Sequence, residues 1–196
     1  MFRRNIISEF LIIFVIILII VFAISNFSTI YSLVYYQFQK SVPLQNNKDG
    51  TLLKSYKNKI IIPKISLIAP IIFSGLQKAE ILDNLKKGVV YIPKGKSKEK
   101  KNGILLGHSS RLLYSPGKYD IAFLFLSKLE KSDKIFVYFD NKKFTYKVTK
   151  ESKFFSDLSS LNLNKKQPTL YLITCWPPGT NLKRLVVEAK LTKNNQ

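Results

Sequence analysis

Cysteine and histidine each occur once in the 196 residues, at Cys175 and His108. A single cysteine excludes an intramolecular disulfide framework. One cysteine with one histidine also leaves no Cys/His cluster for structural zinc. Acids are scarce as well: 12 Asp plus Glu stand against 32 Lys plus Arg, a formal charge of +20 at pH 7. The later acids (Asp120, Asp133, Asp140, Glu151 and Asp157) lie scattered among lysines, so no metal or other cofactor is expected. Arginine is rare beside lysine, four residues against 28. What the chain does have is apolar surface, with 46% hydrophobic and 13% aromatic residues. That is enough to build a core and excludes a wholly disordered basic protein, and the length is that of one domain.

The positive charge admits two readings, a solvated lysine surface or attraction to an anionic membrane, wall polymer or nucleic acid. Aromatic and basic residues alternate in KKFTYKVTK (Lys142 to Lys150). A strand with one wet face produces that pattern without any nucleic acid, and no nucleic-acid partner is assigned.

Every residue from Phe10 to Ile24 is apolar, and no charge occurs between Glu9 and Lys40. A helix of about 20 such residues spans a hydrocarbon core of about 30 Å. Ala23-Ile24-Ser25 offers a small-x-small cleavage site, the mark of a signal peptide. The apolar character continues past it, however, and Tyr31, Tyr35 and Tyr36 suit an outer membrane interface. Residues 1–36 are therefore expected to form one uncleaved transmembrane helix, contacting membrane lipid. Arg3 and Arg4 place its N-terminus in the cytoplasm and the following domain outside, with Lys40 and Lys48 weakening the contrast. Residues 37–58 are polar and aperiodic and read as a linker.

From residue 59 to 196 the texture is that of a small β domain. Prolines 63 and 70 exclude a helix interior from KIIIPKISLIAPII (Lys59 to Ile72) and point to edge strands. Ala79 to Gly88 has helical spacing and ends in a glycine suited to a left-handed cap. Val89 to Pro93 and Gly103 to Gly107 read as strands, and a short helix is expected over Tyr119 to Leu129. Lys134 to Asp140 and Lys143 to Thr149 form a hairpin about Asn141. Glu151 to Gln167 reads as a long loop with one helical turn near Asp157 to Leu161, and Thr169 to Cys175 and Lys183 to Leu191 as the last strands. Seven or eight short strands with two or three small helices predict a mainly β, closed or nearly closed barrel.

Cys175 ends a strand and precedes Trp-Pro-Pro-Gly, and His108 ends another and precedes Ser-Ser-Arg. Singly, the first reads as a buried core thiol and the second as a structural histidine. Together they compose a nucleophile and a base, since an imidazole that exchanges the thiol proton makes the sulfur useful. Unperturbed pKa values of about 8.5 and 6.5 leave only a few per cent of such a thiol ionised at pH 7. Arg184 follows Cys175 by nine residues across a hairpin-like loop, where a guanidinium can stabilise an oxyanion or hold a carbonyl. Spacing does not bring His108 to Cys175, because 67 residues separate them.

LYLITC followed by WPPGTNLKRLVVEAKL (Leu170 to Leu191), together with GILLGHSS (Gly103 to Ser110) and IIPKISLIAPI, resembles the sortase family over roughly residues 59 to 191. The resemblance implies a closed eight-stranded barrel behind a membrane anchor and a cysteine transpeptidase activity. In it Cys175 is the nucleophile, His108 the general acid/base, Arg184 the oxyanion or substrate stabiliser, and Thr174 a residue lining the substrate site. It further implies secreted substrates with a C-terminal Leu-Pro-x-Thr-Gly-like sorting signal, and an amine acceptor on a peptidoglycan precursor or a pilin lysine. The Cys-to-Arg interval and the proline two residues after the cysteine resemble classes C and E, or an unclassified housekeeping type, more than class A. Residues 37–58 lack the Asp-Pro-aromatic lid motif of pilin-polymerising members, which favours anchoring. A papain-like peptidase fits less well, because there the nucleophile precedes the histidine and lies on a helix. A nonenzymatic barrel that binds anionic wall polymer is the remaining alternative.

Overall fold

The computed structural model describes residues 8–22, 24, 57–94, 102–110, 119–140, 142–149, 153–156 and 167–195. Residues 8–22 form a helix, α1, whose apolar side chains are exposed. Among the described residues no helix is long and apolar enough to cross a membrane. Residues 25–36 of the expected anchor, and nearly all of the expected linker, lie outside the described residues.

Among the described residues, nine strands and one further α-helix follow. They are β1 (Lys59–Ile62), β2 (Leu67–Phe73), α2 (Lys78–Lys87), β3 (Val89–Pro93), β4 (Gly103–Leu106), β5 (Lys134–Phe139), β6 (Lys142–Val148), β7 (Lys153–Phe155), β8 (Thr169–Trp176) and β9 (Lys183–Asn195). Neighbours run β6-β5-β1-β2-β3-β4-β8-β9, and β9 returns to β6, closing an eight-stranded barrel. The length of β9, 13 residues, makes this closure possible. Its first part pairs with β8 and its last part with β6, where a bulge between Thr145 and Tyr146 adjusts the register. Closure leaves these eight strands no free edge. β7 lies against the start of β9, outside the ring.

Alternation along the strands separates two apolar groups. Residues such as Leu105, Leu170, Leu172, Leu185 and Val187 fill the barrel, together with aromatic packing among Phe73, Tyr91, Phe139 and Phe144. Each fully buried aliphatic side chain contributes about 1.5–3 kcal/mol. Their alternates on the outer face of β4, β8 and β9 form a smaller cluster of Tyr171, Ile173 and Val186, flanked by Ile104, Leu106 and Phe155.

Several local expectations are corrected. β2 is no edge strand, since it lies between β1 and β3. The Ile71 N–H donates to the Asn58 carbonyl on the β1 side, so the missing N–H of Pro70 falls on the β3 side. There the ladder begins only at Ile71 opposite Val89, and the proline costs no bond. The glycine after α2 is not left-handed, because Gly88 has an extended φ of 170°. It is small for a different reason: a Cβ there would lie 2.5 Å from the Pro70 carbonyl oxygen.

The segment from Tyr119 to Leu129 forms successive turns and a short 3-10 stretch (Leu126–Lys128) instead of an α-helix. The Phe123 N–H is diverted to the His108 carbonyl at 2.8 Å, while neighbouring amides bond three residues back. Lys153–Phe155 is a strand where a loop was expected, too short for alternation to announce it. The helical turn expected near Asp157 to Leu161 lies outside the described residues. The hairpin is as expected: Phe139 pairs with Lys142, and Asp140 adopts a positive φ of 51° in the two-residue turn.

Candidate active site

Cys175 sits one residue before the end of β8, half-buried, on the strand's outer face. Its place follows from the pleat: Leu170 and Leu172 enter the core, so Tyr171, Ile173 and Cys175 turn outward. On one side β9 runs antiparallel, and Arg184 is the Cα partner of Cys175. On the other side β4 runs parallel, with its last pair Leu106 opposite Ile173. The Gly107 N–H continues that ladder by donating to the Ile173 carbonyl at 3.2 Å. Carrying the register two places past the last pair sets His108 beside Cys175. β7 extends the row on the far side, where Phe155 pairs with Arg184. Cys175, Arg184 and Phe155 thus lie in one line across β8, β9 and β7, with His108 two residues past the end of β4 on the other side of β8. Ile104, Leu106, Ile173 and Val186 form an apolar floor next to it.

A family model described as the sortase domain matches residues 60–192. The chain belongs to the sortase family. Sortase A of Bacillus anthracis is 29% identical over 138 residues, 70% of this chain and 60% of that protein. The chain therefore spans less than two thirds of that relative's length. Among solved structures, sortase C-1 of Actinomyces oris aligns with a TM-score of 0.55 and 21% identity, over 84% of this chain and 97% of that one. Sortase C of Clostridium perfringens, determined with the C-terminal cell wall sorting motif, aligns with a TM-score of 0.52 and 25% identity over 69% of each chain. The barrel is the sortase fold.

In this sortase Thr174 departs from its expected place. It is 3% exposed and faces the interior, opposite to Cys175, and its Oγ1 donates to the Gly107 carbonyl at 2.7 Å. The hydroxyl therefore ties the end of β8 to the residue before His108, and does not line the outer face. Gly107 itself must be small, because a Cβ there would lie 2.6 Å from the Phe123 ring. Phe123 in turn holds the His108 carbonyl through its N–H at 2.8 Å. Thr174, Gly107 and Phe123 form a frame that ties the end of β8 to the backbone at His108.

The His108 imidazole titrates below its usual value because burial disfavours the charged form, and the negative charge of Asp120 partly offsets this. At neutral pH it is mainly the neutral form, able to accept a thiol proton. Asp120 is 2% exposed. The sequence does not single it out from the scattered acids; only the turn that pins Phe123 to His108 brings its charge to bear on the imidazole. Arg184 is half-buried and uses one nitrogen, Nη1, to donate to the carbonyls of Asn181 and Lys183, each at 3.1 Å. Those bonds anchor the guanidinium to the loop at the start of β9. Its other nitrogens make no bond among the described residues, and they remain available to a ligand oxygen. Also among the described residues, no three His, Cys, Asp or Glu side chains converge on a common point.

Proposed function

We propose that this sortase is a cysteine transpeptidase of the cell envelope that cleaves a Leu-Pro-x-Thr-Gly-like sorting signal and joins the released acyl group to an amine. The register pairing of Cys175 with Arg184, with His108 following the end of the strand on the other side of Cys175, supports the reading. The Cys175 sulfur, having passed its proton to the His108 imidazole, adds to the threonine carbonyl carbon. The free nitrogens of Arg184 stabilise the resulting oxyanion. Protonated His108 gives its proton to the departing glycine nitrogen as the C–N bond breaks, leaving a thioacyl bond on Cys175. The acceptor amine then attacks that carbonyl, loses a proton to neutral His108, and displaces the thiol as the new amide forms. The apolar floor of Ile104, Leu106, Ile173 and Val186 suits the leucine and proline of such a signal. Its likeness to a sortase C determined with a sorting motif supports the substrate class.

In this reading residues 1–36 anchor the chain in the cell membrane as a single-pass helix in contact with lipid. Residues 37–58 are a linker, and residues 59–196 form the catalytic domain outside the membrane. The substrates are secreted proteins, and the acceptor is the amine of a peptidoglycan precursor. A pilin lysine is the second reading, supported by the class C sortases among its structural relatives. The absence of an Asp-Pro-aromatic motif from residues 37–58 weighs for anchoring.

The test is intact-mass spectrometry of the full chain in neutral detergent with a Leu-Pro-x-Thr-Gly peptide library, with and without amines. An acyl adduct on Cys175 that an amine discharges supports the reading, and the preferred amine separates anchoring from polymerisation. An adduct that persists in Cys175→Ala, or a thiol that alkylates freely but never acylates, overturns it.

A further inference from the structure

On the outer face of β5, β6 and β9, three lysines stand in direct register across adjacent strands. Lys134 of β5 pairs with Lys147 of β6, and Lys147 pairs with Lys190 of β9. All three belong to the outward set of their strands, with Lys134 and Lys147 exposed and Lys190 half-buried. Neighbouring strands lie about 4.8 Å apart, so three ammonium groups share a line roughly 10 Å long at its base. Like charges opposite one another on a sheet repel, and none of the three makes a hydrogen bond or ion pair among the described residues. The acids near the row are engaged or displaced. Asp133, adjacent to Lys134 in sequence, accepts the Glu130 N–H, while Glu188 lies two places along β9 opposite Tyr171. Three lysines in a line, without an ion pair among the described residues, make a surface complementary to a linear polyanion.

We propose that the Lys134–Lys147–Lys190 row is a docking site for a linear phosphodiester polymer of the cell envelope, of the glycerol phosphate type. The source of the polyanion rests on the extracytoplasmic placement of the domain proposed above. The binding itself does not depend on turnover. The surroundings of the row favour a chain over a bilayer. In the next outward row Phe136 pairs with Thr145 and Thr145 with Lys193 of β9, and the Lys143 ammonium covers Phe136 at 4.3 Å from its ring centre. The exposed large apolar residues of the barrel, Leu76, Leu82, Phe154 and Leu182, all lie outside β5 and β6 and outside the described stretch of β9. A bilayer contact would use such residues, and none of them stands in the lysine row. Lysine suits the role, since a compact hydrated ammonium attracts phosphate without fixing its geometry. Measured along β9, Lys190 is six residues from Arg184, roughly 20 Å at strand rise. A polymer held there leaves the catalytic row open.

The test measures fluorescence anisotropy of an end-labelled synthetic glycerol phosphate oligomer with the full chain in neutral detergent, at several salt concentrations. The triple variant Lys134→Gln/Lys147→Gln/Lys190→Gln is expected to bind at least tenfold more weakly at low salt. It should also flatten the dependence of log affinity on log salt by about two units, near 0.7 for each phosphate no longer neutralised. A charge-matched triple elsewhere, Lys78→Gln/Lys86→Gln/Lys128→Gln, is expected to change binding less than twofold, since these lysines lie on α2 and the 3-10 turn. Equal weakening by the two triples reduces the effect to net charge and overturns the proposal. So does absence of oligomer binding, or row-dependent binding to vesicles containing anionic lipid with none to the oligomer. Turnover of a soluble sorting peptide by the row variant, read in parallel, tests the transpeptidase reading separately.

Discussion

Cys175 and Arg184 are Cα partners on adjacent antiparallel strands, so the thiol and the guanidinium share one face of the sheet at one level. The loop between them lets the chain turn back without changing that level. Arg184 is fixed from behind by the Asn181 and Lys183 carbonyls, and this occupies only one of its nitrogens. A planar fork held by one arm keeps its remaining donors in a defined direction.

Replacing Arg184 by Lys is therefore expected to cost about 100-fold or more in kcat/KM, in the range seen when a single oxyanion donor is removed. A lysine cannot keep both the two carbonyl bonds and a second donor toward the substrate. Cys175→Ala should abolish turnover and His108→Ala nearly abolish it. Steady-state kinetics with a sorting peptide and an amine reads all three. Wild-type activity in Cys175→Ala would falsify the mechanism.

Thr174→Val keeps the shape and removes the hydroxyl, leaving the Gly107 carbonyl without the bond now formed at 2.7 Å. Loss of a buried partner costs about 1–3 kcal/mol. Urea unfolding should show a lower midpoint with an unchanged slope. The same change should lower kcat, because the β8 to His108 tie is cut, while the KM of the peptide stays within about twofold. An unaffected midpoint would mean that the hydroxyl contributes nothing to the frame.

Gly107→Ala places a methyl group 2.6 Å from the Phe123 ring. Overpacking of this kind costs about 1–3 kcal/mol, and here it pushes directly on the turn that holds His108. Stability and activity should fall together. The double variant Gly107→Ala/Phe123→Leu should recover part of the stability if the ring is the obstacle. No recovery would place the strain in the backbone.

The pH dependence follows from His108. Its folded pKa is lowered by burial, so as pH falls the unfolded chain takes up the proton first. Its contribution to stability is present above the unfolded value of about 6.5 and is lost as pH falls through the folded value. The acid limb of kcat/KM should likewise lie below the ordinary imidazole pKa. Asp120→Asn removes the charge that raises the value and should move the limb to still lower pH. As the chain's only histidine, His108 can be titrated directly by NMR of its ring. A titration unchanged in Asp120→Asn would separate the carboxylate from the imidazole.

The β identity of the domain, the hairpin about residues 140 and 141, and the three chemical candidates were legible in the chain because each rests on local pattern. Alternation places side chains on faces, turn residues fix hairpins, and a chain with one cysteine and one histidine leaves few choices for nucleophile and base. Asp120 was not legible, since a carboxylate among scattered acids gains meaning only when a turn carries it to the imidazole. Nor was β7, three residues that become a strand only because the start of β9 offers them a partner. The same holds for Thr174, whose neighbourhood to Cys175 in sequence puts it on the opposite face in the pleat.

The sequence by itself determined a basic chain with an apolar first segment, a run of short strands, and residues fit for thiol chemistry at strand ends. It did not bring His108 to Cys175, because proximity across 67 residues is a property of strand pairing and not of spacing. The parallel ladder of β4 on β8 is offset by that interval, Leu106 standing opposite Ile173. Register is set when the inward faces of the strands pack into one closed barrel and a slip of one residue would turn each apolar side chain to water. The tertiary structure alone made that choice, and it set Cys175 against Arg184 and Lys147 between Lys134 and Lys190 alike.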